Sequence, residues 1–381
     1  MKKRSTALPT NWINGMKING SHFENSELAL FDAMHQINSV HIKDYNYGLF
    51  AKFGASTEAF EIQVTKSVSD SFNIELSRCF GTTFSGLRID VSPETSLPLS
   101  YSSKYNAFAE RSGQSKNLYL ILSVEYANRH ATGSPNPAEF PLRHPFALPE
   151  FNLDLVEESK IEEFDVLLDS LILAKFEVKG NDIVQDKDYI PPCQTIQSFP
   201  LLRSYYNSIS ESINVIQIAT YNLVYKVINK NQNTPLAYNL KHVCEKIIYY
   251  VSSLNFQFRN HLYQTSPIET VNAIVQFANH LKLAIDFLPE KEKEDILLYY
   301  KEWSDIAPGK FEELLNSIID IEYSHTNIAD SIETVSDFTK IIADLFKKLS
   351  ELELIGKRRG DKDMVVREIN PKQSKKFKML D

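Results

Sequence analysis

Nine histidines, three cysteines and several paired acids are the residues of this chain that could hold a metal, attack a carbonyl or move a proton. Their spacing asks for none of these. No two histidines stand at i and i+4 on one helix face, the arrangement that lets two imidazoles share a zinc ion. His22, beside Phe23, reads as a structural histidine. Cys79, Cys193 and Cys244 lie far apart, odd in number and with no CxxC pair, so neither zinc nor a disulfide framework is indicated. They read as buried, reduced thiols. HExxH, HxE…PCxxC and GxSxG are all absent, and with 12 glycines in 381 residues there is no glycine-rich phosphate loop. Glu157-Glu158 and Glu162-Glu163 fall in a charged, helical linker. Tyr249-Tyr250 and Tyr299-Tyr300 read as helical packing or interface aromatics. No basic patch surrounds them, so single-stranded nucleic acid loses its electrostatic half. The expectation is a non-enzyme with no catalytic residue, no cofactor and no metal.

Composition points the same way. Hydrophobic content of 43% and charged content of 24% are ordinary for a globular chain long enough for two or three domains. The net charge of −8 argues against nucleic acid. Only the ends are basic: residues 356–381 carry nine Lys/Arg against four acids, so this tail is +5 and the remainder −13. The basic start, Met1 to Thr10, has no apolar stretch behind it, and no run approaches the ~18 apolar residues of a membrane span. A cytoplasmic chain without direct membrane insertion is expected.

The elements that would position any site change character near Pro200. Before it, apolar and polar residues alternate as half-buried strands do, at Phe60–Val64, Phe72–Leu76 and Gly86–Val91. Asn117–Tyr126 reads as a strand buried on both sides for much of its length, with further strands at Ile172–Val178 and Ile183-Val184. The Pro-rich stretch from Gly133 through Pro141, Pro145 and Pro149 reads as a loop or edge segment, or as a docking surface. Leu28, Leu30, Phe31 and Met34 predict a short helix over Glu24–Gln36, with Asn25 or Ser26 as N-cap. After Pro200 the period lengthens. Ile209, Ile213, Ile216, Thr220, Leu223 and Val227 follow a 4-3-4-3-4 spacing. A second helix covers about 236–262. A third opens on Ser266 with Pro267 at its first position and ends before Pro289. Further helices are expected over Lys291–Trp303, Phe311–Tyr323 and Ile328–Leu354. The last carries Ile328, Ile332, Val335, Thr339, Ile342, Leu345, Leu349 and Leu352 at coiled-coil spacing. The prediction is α+β: an antiparallel β-sandwich over 1–195, an α-helical bundle over 196–355 and a basic tail over 356–381. The bundle seams either close within one chain or face sister chains.

Two strings carry a family resemblance. The first is Trp12-Ile13-Asn14-Gly15-Met16-Lys17-Ile18-Asn19-Gly20-Ser21-His22-Phe23. The second is Asp188-Tyr189-Ile190-Pro191-Pro192-Cys193, followed by Pro200-Leu201-Leu202. In this order, around a β-to-α switch, they resemble the TssK family of type VI secretion baseplate proteins. That family opens with Trp-x-Glu-Gly-Met/Leu, an apolar position and Pro-Gln-His-Phe, and carries an Ile-Pro-Pro-Cys-like turn before its helices. Asn14 replaces the usual Glu, and Gly20-Ser21 replaces Pro-Gln. The resemblance covers about residues 8 to 350.

It implies a β-sandwich shoulder like that of phage receptor-binding proteins, a helical neck, and a homotrimer. Trp12, Gly15, Met16, Ile18, His22 and Phe23 would form a motif facing TssF-like and TssG-like wedge proteins. Ile190, Pro191 and Pro192 would mark the shoulder–neck hinge. Ile209, Ile213, Ile216, Leu223, Ile332, Val335, Ile342, Leu345 and Leu349 would form the trimer or bundle seam. The function implied is an adaptor linking the wedge to the cytoplasmic part of the envelope-spanning membrane complex, at the inner face of the inner membrane. The family's C-terminal head has no room after Leu354, so the bundle tip and basic tail are expected to make the membrane-side contact, or the tail only solubilises. A phage-tail receptor-binding or adhesin-like trimer is the alternative class.

Overall fold

The computed structural model describes residues 7–51, 58–67, 71–93, 98–104, 116–161, 168–179, 182–304 and 306–358. Glu162-Glu163, Asp305 and the tail beyond Arg358 lie outside the described residues. The chain divides into two units. The first comprises Met1–Asn207, Phe258–Asn272 and Glu322–Thr334; the second, Ser208–Gln257, Ala273–Ile321 and Val335–Asp381.

The first unit holds two antiparallel sheets. One is built on β3 (Ser71–Thr82), which pairs with β1 (Gly48–Leu49), β2 (Phe60–Ser67), β4 (Arg88–Val91) and β5 (Leu99–Lys104). Alternation sets its faces: Phe72, Ile74 and Leu76 point inward and are buried, while Asn73 and Glu75 between them are not. The other sheet runs β7–β6–β8–β9, from β6 (Lys116–Thr132), β7 (Phe146–Glu157), β8 (Ser170–Lys179) and β9 (Asp182–Gln185). Leu118, Leu120 and Leu122 of β6 are fully buried on one face, and Ile121 packs on the other against Ile172 and Tyr189. Pro149 falls in β7, an edge strand, the place in a sheet where a missing amide is tolerated. The Pro-rich stretch therefore ends inside the sheet. Glu157 closes β7, and Glu158 opens the single-turn helix α2 (Glu158–Ile161) and accepts from Asn117 and Tyr119.

Past Ser123, β6 loses β8 and pairs with β7 alone as far as Thr132–Phe146, so the hairpin continues as a two-stranded arm. Against the base of this arm lies α1 (Gly20–His41), longer than the sequence suggests and capped six or seven residues earlier. Asn19, rather than Asn25 or Ser26, is the N-cap. Its side-chain oxygen accepts from the His22 amide at 3.3 Å, and its own amide donates to His22 Nδ1 at 3.1 Å. A histidine thus does the work of the Glu or Gln expected in a capping box.

Four of the later helices open on proline, whose fixed φ and missing donor suit a first helical position: α3 (Pro200–Asn229), α4 (Pro235–Asn260), α5 (Pro267–Asp286) and α7 (Pro308–Ile319). With α6 (Glu290–Ser304) and α8 (Ile328–Glu351) they complete the described helices. In the second unit Tyr300 meets Phe346 edge-on and packs on Phe311, and Phe277 packs on Phe338. After α8, Lys226 donates to the carbonyls of Ser350 and Leu352, satisfying acceptors left over at a helix end. Ile355 is buried, and Arg358 pairs with Asp295 at 2.6 Å.

One helix ends early. α7 stops at Ile319, not Tyr323, because the following residues take tertiary bonds within the first unit. Tyr323 donates to His325 Nδ1 at 2.7 Å and His325 Nε2 to the Tyr47 carbonyl at 2.9 Å.

Candidate functional site

The opening motif folds as a turn that feeds α1. Gly15 has φ +81, a conformation other residues adopt at a cost, and it closes the turn in which Met16 N donates to the Ile13 carbonyl. The turn brings Trp12 back over the helix start, 6.0 Å from the His22 ring and 5.8 Å from Phe23. Thr10 ties the strand-like lead to the helix by donating to the His22 carbonyl at 2.6 Å. Trp12, His22 and Phe23 therefore meet, while Met16 is half-buried and Ile18 points outward.

No residue of α1 is buried. The helix touches the rest of the unit through one side only. Glu27 pairs with Arg129 at 2.7 Å, the Arg129 guanidinium lies 5.0 Å from the Phe31 ring, and Phe31 meets Tyr126 edge-on at 4.6 Å. At i, i+7, i+11 and i+14 along the adjoining face, Phe23, Leu30, Met34 and Ile37 are exposed. At the end of the arm Phe146, and beyond it Phe140 and Leu142, are exposed as well. Burying four such helix side chains is worth about 1.5–3 kcal/mol each. The lone apolar residue on a surface is unremarkable, but a continuous exposed stripe on a helix with no buried residue is a candidate interaction surface. Sequence reasoning flagged Trp12 and Phe23 and used Leu30 and Met34 only to predict a helix. It offered the Pro-rich stretch around Phe140, Leu142 and Phe146 as a loop or a docking surface without singling out those residues, and it missed Ile37. The available signal was an amphipathic pattern immediately after the motif with no matching partner segment.

A second exposed stripe lies on α3. Ile218, Tyr221, Tyr225 and Ile228, spaced 3-4-3, are 54–58% exposed, and Tyr221 stacks on Tyr225 at 6.2 Å. Gln217 of α3 bonds Ser252 and Asn255 of α4, which sets the two helices side by side. From those bonds, helical geometry puts the α3 stripe and the exposed Tyr238, Tyr249 and Phe256 of α4 on one side of the pair. By contrast Ile209, Ile213, Ile216, Leu223, Ile332, Val335, Ile342, Leu345 and Leu349 are at most 1% exposed within a single chain. Tyr299 and Tyr300 are buried too, whereas Tyr249 is not.

Ile190, Pro191 and Pro192 are buried and fastened to β1. Leu49 N donates to the Pro192 carbonyl and Gln194 N to the Leu49 carbonyl, both at 2.8 Å. Gly48, at φ +104, permits that approach, since a Cβ there would collide with the Pro192 carbonyl. The three cysteines are free and buried, and burial pushes their thiol pKa values up, away from nucleophilic thiolate. Among the described residues no group of three His, Cys, Asp or Glu side chains gathers as a metal site, and no helix is long and apolar enough to cross a membrane.

Two antiparallel sheets on a long central strand each, followed by proline-opened helices, define an α+β fold of a recognisable type. It is the fold of TssK. The crystal structure of TssK matches with a TM-score of 0.53 at 16% identity, over 87% of this chain and 68% of that one. A chain of the type VI secretion TssK-TssF-TssG baseplate subcomplex matches at 0.52 and 12% identity, over 88% and 99%. A chain of the baseplate complex from the type VI secretion system matches at 0.51 and 14%, over 89% and 100%. No protein-family model and no curated protein matches the sequence.

Proposed function

We propose that this chain is a non-enzymatic, TssK-like component of a type VI secretion baseplate, a homotrimeric adaptor between the wedge and the membrane complex. The observation that carries the reading is the shared fold over most of the chain, joined to an α1 that has an apolar face and no buried residue. The two sheets then correspond to the β-sandwich shoulder and the helices to the neck. The surface formed by Trp12, Phe23, Leu30, Met34 and Ile37 docks on TssF-like and TssG-like wedge proteins, with the hairpin tip as its second contact. Sister chains meet through the exposed α3–α4 stripe, because the nine seam positions have no surface left to give. The prolines of the 190–192 segment hold it against β1 as a fixed link to the helices. The working place is the cytoplasmic side of the inner membrane, with the basic tail as the membrane-side contact.

Affinity purification of the tagged full chain from its own cells, with identification of what co-purifies, tests the reading. Recovery of TssF-like and TssG-like subunits, with light scattering at three times the chain mass, is expected. A monomer that brings down neither subunit, or one that brings down phage-tail proteins, would overturn it.

A further inference from the structure

Within the first unit a cavity of about 370 Å³ opens to solvent among Asp44, Tyr45, Tyr47, Phe84, Tyr323 and His325. Its walls are rings. Tyr47 stands edge-on to Phe84 at 5.5 Å and lies 4.8 Å from His325, which is 5.8 Å from Tyr323. Tyr45 and Asp44 stand exposed at its rim. Several of the polar groups of the floor bond one another. The Tyr323 hydroxyl is spent on His325 Nδ1, and the Nε2–H of His325 is spent on the Tyr47 carbonyl. Ser324 and Thr326 bond each other at 3.1 Å. Beside the Ile268 side chain and the hydroxyls of its lining, the cavity presents ring faces and one carboxylate. Among the described residues Asp44 has no ion-pair partner, yet its charge reaches the floor: it adds to the burial that raises the Tyr47 pKa and opposes in part the burial that lowers that of His325. His325 itself is held neutral at ordinary pH, its pKa lowered by burial to about 4. Among the described residues that line the cavity there is no Lys or Arg.

We infer that this cavity receives a guanidinium group, the side chain of an arginine presented by another protein. A planar, weakly hydrated cation stacks on aromatic faces and pairs side-on with a carboxylate, which is the chemistry left unused here. A compact ammonium gains the charge but not the stacking. An apolar side chain gains neither, and leaves Asp44 without a counter-ion. The assignment stands apart from the secretion reading, which concerns the α1 surface and the α3–α4 stripe.

The test is a ligand-observed NMR titration of the purified full chain with N-acetyl-arginine amide, N-acetyl-lysine amide, N-acetyl-norleucine amide and free arginine. Saturable binding of the arginine amide is expected, with at least threefold weaker binding of the lysine amide and none of the norleucine amide. Asp44→Asn, an exposed change that leaves the thermal melt in place, should weaken the arginine amide tenfold or more. Tyr45→Ala should weaken it severalfold. Equal binding of the norleucine amide, or an unchanged affinity in Asp44→Asn, would overturn the guanidinium assignment. Free arginine binding as tightly as the amide would overturn the protein source, because its own carboxylate should be repelled by Asp44.

Discussion

Helices α1 and α8 are written in the same amphipathic code and meet opposite fates. α1 has 22 residues and buries none of them; α8 has 24 and buries Ile328, Ile332, Val335, Phe338, Ile342, Leu345, Phe346 and Leu349. Each has an apolar stripe along one side. An apolar stripe states that a face is to be covered, but not by whom. In α8 the cover is the chain's own helices, and the gain is stability. In α1 the described residues leave the stripe uncovered, and in the proposed function a partner covers it and the gain is assembly. The comparison separates residues that hold the fold from residues available to a partner, and each side of it can be broken.

The largest effect belongs to α8. Phe346 is fully buried and edge-on to Tyr300, so Phe346→Ala should lose its transfer energy and leave a cavity, about 3–5 kcal/mol together. Urea denaturation would show the midpoint drop. A loss under about 1 kcal/mol would mean that the site is not the packed core described.

His325 extends the comparison to a titratable group, since burial makes it part of the fold. Its folded pKa is lowered to about 4, below the ordinary 6.5, so the native chain refuses a proton that the unfolded chain accepts between those values. Its contribution is therefore complete above about pH 6.5, is lost as pH falls toward 4, and changes no further below. The total is on the order of 3 kcal/mol. Urea midpoints at pH 7 and pH 4.5 should differ less in His325→Gln than in the parent chain; equal differences would remove His325 from the explanation.

On the exposed side, Leu30→Asp with Ile37→Asp should leave the urea midpoint within about 0.5 kcal/mol, because neither side chain is buried. The same pair should cut wedge binding about 30-fold or more, the scale of a hot-spot loss near 2 kcal/mol. Pull-down against the co-purifying subunits, beside the melt of the variant alone, reads both numbers. A variant that melts early and still binds would invert the assignment.

What could be read in advance follows the same divide. Strands β2, β3, β4, β6, β8 and β9 and the buried stripes of α3, α4, α5 and α8 were legible, because alternation and heptad spacing report burial within the chain. The strands β1, β5 and β7 were not. β1 has only two residues, β5 reads Leu-Ser-Tyr-Ser-Ser-Lys with little apolar content, and β7 starts amid prolines. The end of α7 was hidden because Tyr323 and His325 are fixed by Tyr47, far away in sequence. Of the proposed docking surface, Trp12, His22 and Phe23 were visible as a motif. The remainder was not, since a stripe awaiting a partner looks in sequence like a stripe that already has one.

The smallest effect tests whether α1 is a preformed element or one that orders on contact. Its N-terminus rests on Asn19 and His22, which satisfy each other's backbone amides, and on Thr10, which holds the lead strand to the first turn. With no buried residue, α1 has little else to keep its first turn helical, since most helical stability in proteins comes from tertiary packing. Asn19→Ala should therefore cost about 1 kcal/mol, concentrated in the first turns rather than spread over the fold. Amide exchange near residues 21–25 should quicken severalfold while β6 and β8 amides are unchanged. Wedge binding should weaken by a similar factor, because the partner must then order the turn that carries Phe23. Faster exchange with undiminished binding would show that the cap serves the helix but that the partner does not need the helix in advance.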